Sequence, residues 1–363
     1  MVQYKYLVTD LLTDQVNLEP SVFGVNLGRR MSKPGNGTFS IGLDGSNTVR
    51  NQNIIDFTAP GRNALWVLRD DVIVWGGVIW SRTYQSQARV LQYTAQTFES
   101  FLYKQFIEDD YSWEEIDQRQ ILVDLINFMQ AKTGANINID TALSFDPLNA
   151  VIRTENMWLA DRWSFGKAAE YLVNYADGFE YYIDWVIDAN GNLSKALVTD
   201  NTVGVSLASS QIAFDYPGNV TNYWFPETVS DAAVTVLGSG SGQGAGMTMS
   251  KYTHADLITG GWPDLQIEFS NRDVSEQETL DSQTTAEAMR VRPPMTTIQL
   301  ELNGRLGTIA DISLGDWCRV KIEDVRFPSG YSANTRIIGW DLKPPTSESE
   351  EYIKLVVAGD ESG

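Results

Sequence analysis

At 363 residues the chain is too long for one ordinary core, and two to four domains of about 100–200 residues each are expected. Its 43% hydrophobic and 20% charged content excludes wholesale disorder. A net charge of −20, with Arg29-Arg30 the only adjacent basic pair, excludes a sequence-specific nucleic-acid binder, which needs a basic patch.

The N-terminus, MVQYKYLVTDLLTDQ, carries acids and lacks a long apolar core, so it reads as no signal peptide, and synthesis in a cytoplasm is expected. No uncharged run approaches the roughly 18 apolar residues of a membrane helix. The first hundred residues read as mostly β: YKYLVTDLLT and residues 22–27 have strand content, and the glycines of PGNGTFSIGLD supply turns. Residues 65–68, 72–75, 78–84 and 89–95 form a meander with short connections. In QARVLQYTAQ, Val90, Gln92 and Thr94 face one way, and Leu91, Tyr93 and Ala95 the other.

Within that meander, LWVLRDDVIVWGGVIWSRTY places Trp75 and Trp80 around a glycine pair. Residues 72–75 are apolar on both faces, so the run belongs inside a barrel, between layers or at an interface. Gly76-Gly77 read as a bulge or tight bend where another backbone approaches. Trp75 and Trp80 then read as core or subunit-contact residues rather than an exposed platform.

The pattern turns helical after Phe98. In WEEIDQRQILVDLINFMQAKTG, Ile116, Leu122, Leu125, Ile126 and Met129 recur at helical spacing. Ser112 is the expected cap, Glu114 and Glu115 the first turn, and Gly134 the stop. A second helix is expected over 164–176 with Gly178 beyond it, then a hairpin turning at Asn190-Gly191. The chain is β-rich again from Ser206. GSGSGQGAGM, residues 238–247, reads as a flexible low-complexity loop. Residues 284–291 are part of a helix that Pro293-Pro294 ends, and TIQLELNG…LGDWCRVKIEDVRF…NTRIIGWDL…EYIKLVVAG is four strands. One echo suggests a structural repeat: Asp70-Asp71, Gly77, Val78-Ile79 and Trp80 before a closing strand, then Glu323-Asp324, Ile337-Ile338, Gly339 and Trp340 before IKLVVA.

Candidate chemistry is thin. One cysteine, Cys318, excludes an internal disulfide framework and reads as a small core residue. With His254 as the only histidine, zinc, haem and iron–sulfur sites and a Cys–His pair are not expected; His254 has no GxSxG elbow to serve and reads as a surface or capping residue. The glycines of 238–247 fit neither a P-loop nor GxGxxG. Asp188, Asn190 and Asn192 alternate like a calcium loop, but position twelve is Thr199 instead of glutamate. Asp109-Asp110, Glu114-Glu115, Glu180 and Asp184 beside Trp185 are conceivable carboxylates for glycoside hydrolysis, yet nothing groups them into a pair. The aromatic groups Tyr181-Tyr182-Trp185 and Tyr223-Trp224-Phe225 suit core strands or large subunit interfaces. No catalytic, cofactor-binding or metal-binding residue is therefore assigned, and no cofactor is expected.

Four pieces carry a resemblance: RDDVIVWGGVIWSRTYQSQARVLQYTAQTFESFLYKQFI; the helix around Ile121-Leu122-Val123-Asp124-Leu125-Ile126 with its Gly134 loop; ADGFEYYIDWVIDANGNLSK; and SLGDWCRVKIED…TRIIGWDL…YIKLVVA, built around Leu-Gly-Asp and an Arg-Ile-x-Gly strand. In this order they resemble the hub proteins of bacteriophage tails, the minor tail or baseplate hub proteins of long-tailed phages. The resemblance implies a β-rich α+β fold with two β-barrel-like tube modules and an α/β peripheral region, forming a ring. The modules would be 1–105, and 205–235 with 296–363; the peripheral region would be 106–204 with 236–295. It further implies a structural, non-enzymatic homotrimer in the virion, at the tail tip. Such a ring would join the tail tube or distal tail protein to spike or receptor-binding proteins and leave a channel for DNA, serving host attachment and DNA ejection. The tape-measure protein is a further candidate partner. No fibre, lysozyme-like or peptidase segment follows Gly363, so cell-wall degradation is expected in another protein. The acid balance predicts negative potential along the inner face. The rival reading is a carbohydrate-binding or glycoside-hydrolysing protein that uses aromatic platforms and paired carboxylates.

Overall fold

The computed structural model describes residues 2–175, 177–187, 191–272, 274–293, 295–303, 309–347 and 349–358. The protein is α+β and β-rich, and divides into two compact units: Met1–Ala169, Phe179–Tyr223 and Gln299–Gly363 make the larger, Glu170–Gly178 and Trp224–Ile298 the smaller.

The larger unit opens with β1 (Tyr4–Asp10), β2 (Val16–Leu18), β3 (Phe23–Arg30) and β4 (Asn36–Gly42). Helix α1 (Thr48–Phe57) precedes the meander β5 (Asn63–Arg69), β6 (Val72–Gln85) and β7 (Val90–Thr97). The short helix α2 (Glu99–Leu102) leads to β8 (Tyr111–Asp117), α3 (Gln118–Ala131), β9 (Ile139–Asp140) and β10 (Ile152–Met157). Helix α4 (Phe165–Val173), whose residues from Glu170 onward are counted with the smaller unit, the paired strands β11 (Glu180–Ile187) and β12 (Leu193–Asp200), and then β13 (Ala213–Tyr216) and β14 (Val220–Trp224) follow. The smaller unit holds β15 (Glu227–Thr228), β16 (Thr235–Ser239), β17 (Met249–Thr253), α5 (Ala255–Thr259), β18 (Gln266–Ser270), α6 (Gln277–Arg290) and β19 (Met295–Thr296). The chain ends in the larger unit with β20 (Ile298–Asn303), β21 (Trp317–Ile322), β22 (Tyr331–Lys343) and β23 (Tyr352–Ala358).

Among the described residues one sheet of 13 strands dominates, in the order β14-β20-β23-β22-β3-β4-β7-β6-β5-β1-β2, with β21 also on β22 and β13 on β21. The order contains one pattern twice: β3-β4-β7-β6-β5-β1 and β14-β20-β23-β22-β21-β13 visit six strands in the same chain sequence. Local devices repeat as well. The pairing of β6 with β7 shifts between Ile79 and Ser81, and that of β22 with β23 shifts between Ile337 and Gly339, so Trp80 and Ile338 are bulge residues. Just before each bulge a glycine closes the edge: Gly61 N–H donates to Ile79 O and Gly315 N–H to Ile337 O, both at 2.7 Å. These glycines have φ of +75° and +89°, where a Cβ would be strained. The sets differ at the first strand, since β1 runs antiparallel to β5 and β13 parallel to β21.

Several expectations change. Residues 111–117 form a strand rather than a capped helix start, because β10 pairs with them from Met157 to Ile152; Asp117 is the cap, accepting Arg119 N–H. Helix α1 has no counterpart in the sequence reading: it buries only Ile54 and starts on the Asn47 side chain. Gly76-Gly77 lie inside β6, not at a bend, although the close approach is real: a Cβ on Gly77 would lie 2.3 Å from the Gln96 carbonyl oxygen. In 238–247, Gly238 and Ser239 belong to β16 and Gly244–Gly246 is a 3-10 turn, so the segment is structured; a Cβ on Gly238 would lie 2.1 Å from Thr284 Oγ1 of α6. The second helix runs only from Phe165 to Val173, with Ser164 Oγ accepting Lys167 N–H. The hairpin pairs Ile187 with Leu193, and its turn residues 188–190, with Asp188 and Asn190, lie outside the described residues. Pro294 lies outside them too.

Candidate assembly site

The tryptophan strand is core in its middle, from Val74 to Ile79, but Val72 at its start is 49% exposed, so the two-sided burial expected of 72–75 holds only for Val74 and Trp75. Trp75 is fully buried, its indole N–H donating to Gly28 O at 3.1 Å, and Gly37 and Gly77 leave room for its ring. Val67 lies opposite it on β5. Trp66, next along β5, is also fully buried; it donates to Thr9 Oγ1 at 2.9 Å and packs 5.1 Å from Phe98. Trp80, at the bulge, is half-buried: its N–H donates to Ser100 Oγ at 2.8 Å and Lys104 Nζ lies 5.6 Å from its ring. An exposed platform of Trp75 and Trp80 is thereby ruled out.

Strand β11 is tied to both six-strand sets. On the first, Ser32 N–H donates to Tyr181 O, and buried Glu99 accepts Ile183 N–H at 2.8 Å. Arg29 donates to Ile183 O and Asp184, and lies 3.8 Å from the Trp185 ring. This anchor is incomplete: Glu99 Oε2, Arg29 Nε and Trp185 Nε1 are buried without hydrogen-bond partners. Burial pushes the Glu99 carboxyl above its ordinary range, against the pull of its hydrogen bonds and Arg29.

On the second set, Arg336 of β22 grips Glu180 of β11 with two bonds of 2.6 Å and also donates to Gly315 O and Val203 O. The Leu-Gly-Asp and Arg-Ile-x-Gly motifs are thus one device. Leu314 is fully buried, Gly315 lets the Val203 carbonyl approach, and Asp316 accepts the N–H groups of Val205 and Ser313. The sets meet where β3 lies antiparallel on β22, Arg30 opposite Gly339 and Leu27 opposite Leu342, with Arg30 paired to Asp341 at 2.7 Å.

A buried pair went unseen in the sequence. Lys195 is fully buried over Phe98 and Trp66 and bonds Asp14. Burial pulls the Lys195 ammonium down and pushes the Asp14 carboxyl up, while their mutual attraction opposes both shifts. Nothing in the spacing of residues 14 and 195 announces the contact. Arg336 does leave a signal, as the arginine of Arg-Ile-x-Gly, whereas Glu180 reads in the sequence only as a conceivable acid for hydrolysis.

The other carboxylates considered for hydrolysis are also engaged or scattered: Asp184 pairs with Arg29, and Asp110 accepts Leu159 N–H. Among the described residues no group of three His, Cys, Asp or Glu is arranged to hold a metal ion. His254 is buried rather than on the surface, its ring between Ala288 O at 2.9 Å and Arg292 at 2.8 Å; it starts α5 without a side-chain cap bond. Cys318 is fully buried against Thr335, and burial pushes its thiol up to about 11. No helix of the described residues is long and apolar enough to cross a membrane.

No family model and no curated protein matches the sequence. Solved structures do. The chain superposes on a tail protein from Neisseria meningitidis MC58 with a TM-score of 0.60 at 13% identity, over 99% of this chain and 97% of that one. The chain has the fold of a phage tail protein. The 43 kDa tail protein of prophage MuSo2 from Shewanella oneidensis also gives a TM-score of 0.60, at 9% identity over 98% of both chains. A prophage tail protein from Listeria monocytogenes EGD-e gives 0.54 at 11% identity, over 99% of this chain and 95% of that one. The tail-protein fold therefore spans both units of the chain, not one module of it.

Proposed function

We propose that the chain is a structural tail-tip (baseplate) hub of a bacteriophage, without catalytic turnover. The observation that carries this reading is the doubled six-strand order in a chain that matches tail proteins along its whole length. Two like modules in one chain give three copies six near-equivalent positions, which suits docking against a six-fold tube. On this reading the modules are 1–105, and 205–235 with 296–363, each β-barrel-like, and 106–204 with 236–295 form the α/β periphery. The ring is a homotrimer in the virion, joining the tail tube or distal tail protein to spike or receptor-binding proteins. DNA passes through its channel, and a wall without net positive charge does not retain it.

Native mass spectrometry with negative-stain imaging of the purified protein tests the reading. A closed ring of three chains is expected; a monomer that binds or cleaves saccharides would overturn it and favour the aromatic-platform rival. Trp80→Ala is expected to lower ring yield while circular dichroism stays unchanged. Normal assembly of that variant would remove Trp80 from the contact.

A further inference from the structure

Resting on the ring reading, we infer that the seam between copies is a strand pair: β14 of one copy lies antiparallel along the free edge of β6 in the next. The template is inside the chain. In the second six-strand set, the edge of β22 facing away from β23 is covered twice, by β21 over Tyr331–Arg336 and by β3 of the first set over Gly339–Leu342. In the first set, β5 covers the matching edge of β6 only as far as Val78, while β7 holds the opposite edge to Gln85. Beyond the Gly61 N–H bond to Ile79 O, no strand among the described residues follows that edge. Counting from the bulge residues, Ser81–Tyr84 occupy the place of Gly339–Leu342. The strand that corresponds to β3 in the second set is β14, which ends the sheet path: among the described residues no strand pairs with its outer edge. If the second set docks on the first set of another copy as the first docks on the second within one chain, β14 meets β6. This head-to-tail contact closes a ring when its rotation closes.

The edges themselves support this. Free strand edges in soluble proteins are usually guarded by charge, proline or cover, because bare ones recruit other strands. At the far end of the sheet β2 is guarded, running straight into Glu19 and Pro20. The two proposed partners are bare. On β6, Ser81, Thr83 and Tyr84 are exposed and uncharged, and Arg82 turns its guanidinium to Ile55 O at 2.6 Å. On β14, Val220, Thr221, Asn222 and Tyr223 carry no charge. Main-chain pairing between such edges is strand addition, here with a second copy as the partner.

The test uses the full chain. Thr83→Cys combined with Thr221→Cys or with Asn222→Cys, treated with a short bis-maleimide, is expected to give a covalent ladder ending at the trimer. The single variants give no ladder, since Cys318 is buried. Independently, Thr83→Lys with Thr221→Lys should cut the ring fraction at least tenfold, and Thr83→Lys with Thr221→Glu should restore it. A wild-type ring with no cross-link in either pair, and a double-lysine variant that still closes, overturns this seam and leaves the ring standing. A monomeric wild type removes the ring reading and the seam with it.

Discussion

The two six-strand sets share an order but not a core. The first is aromatic: Phe39 stacks on Tyr93 at 4.6 Å, Trp66 packs on Phe98, and Trp75 fills the space that Gly37 and Gly77 leave. The second is mainly aliphatic: Leu300, Val320, Ile322, Ile353, Leu355 and Val357 are buried, and Trp340 is its one buried tryptophan among the described residues. What the sets hold in common is alternation, the bulge in the long central strand, and the positive-φ glycine that closes the edge before it. Volume and side-chain class can change wholesale while these register devices keep the topology. Sequence identities of 9–13% to proteins of the same fold are understandable on that basis.

The comparison can be broken hardest at Trp75. Trp75→Ala removes a fully buried ring and its bond to Gly28, and about 4 kcal/mol of stability of the larger unit should go with it. Leu355→Ala, in the other core, should cost about 3 kcal/mol. Urea unfolding of both variants checks the order; equal costs would mean the aromatic core is not the tighter one. The glycines sharpen the comparison next. Gly61→Ala meets nothing within 4 Å and should cost about 1 kcal/mol, the strain of left-handed backbone alone. Gly315→Ala places its methyl 2.2 Å from Val203 O and should cost at least about twice that. A Gly315→Ala penalty no larger than that at Gly61 would show that the Leu-Gly-Asp turn yields easily.

Much of this was legible in the sequence for a physical reason. β7 and β23 are buried on one face, so period-two alternation had to be written into 90–97 and 352–358. The echo around Trp80 and Trp340 is legible only in outline: counted from the bulges, Ile338 takes the place of Trp80 and Trp340 that of Arg82, so the two tryptophans are offset by two residues. Helix α1 was not legible, since a helix that buries one side chain needs no apolar stripe. Residues 111–117 misled because Glu114 and Glu115 imitate a first helical turn, while their strand is set by a partner about forty residues later. The charged contacts were illegible for the same reason: Glu180 and Arg336 lie 156 residues apart, and no local pattern records such a pairing.

The finest contrast is between the two anchors of β11, and pH separates them. Glu99 holds Ile183 N–H with one oxygen and leaves the other buried without a partner, whereas Glu180 is satisfied twice by Arg336. Burial raises the Glu99 carboxyl in the folded chain above its unfolded value. A group shifted in that direction contributes its full stability below the ordinary carboxylate range and loses it as pH rises through the raised value. Glu99→Gln keeps an oxygen for Ile183 and removes the buried charge. The variant should therefore be more stable than wild type by about 1 kcal/mol at about pH 8, with the gap closing by about pH 4. Glu180→Gln should do the reverse near neutral pH, because Arg336 loses a charged partner it holds by two bonds. Thermal melts of both variants across that range decide between them. If Glu99→Gln were the weaker protein at every pH, Arg29 would already compensate the buried carboxylate, and the two anchors would be alike.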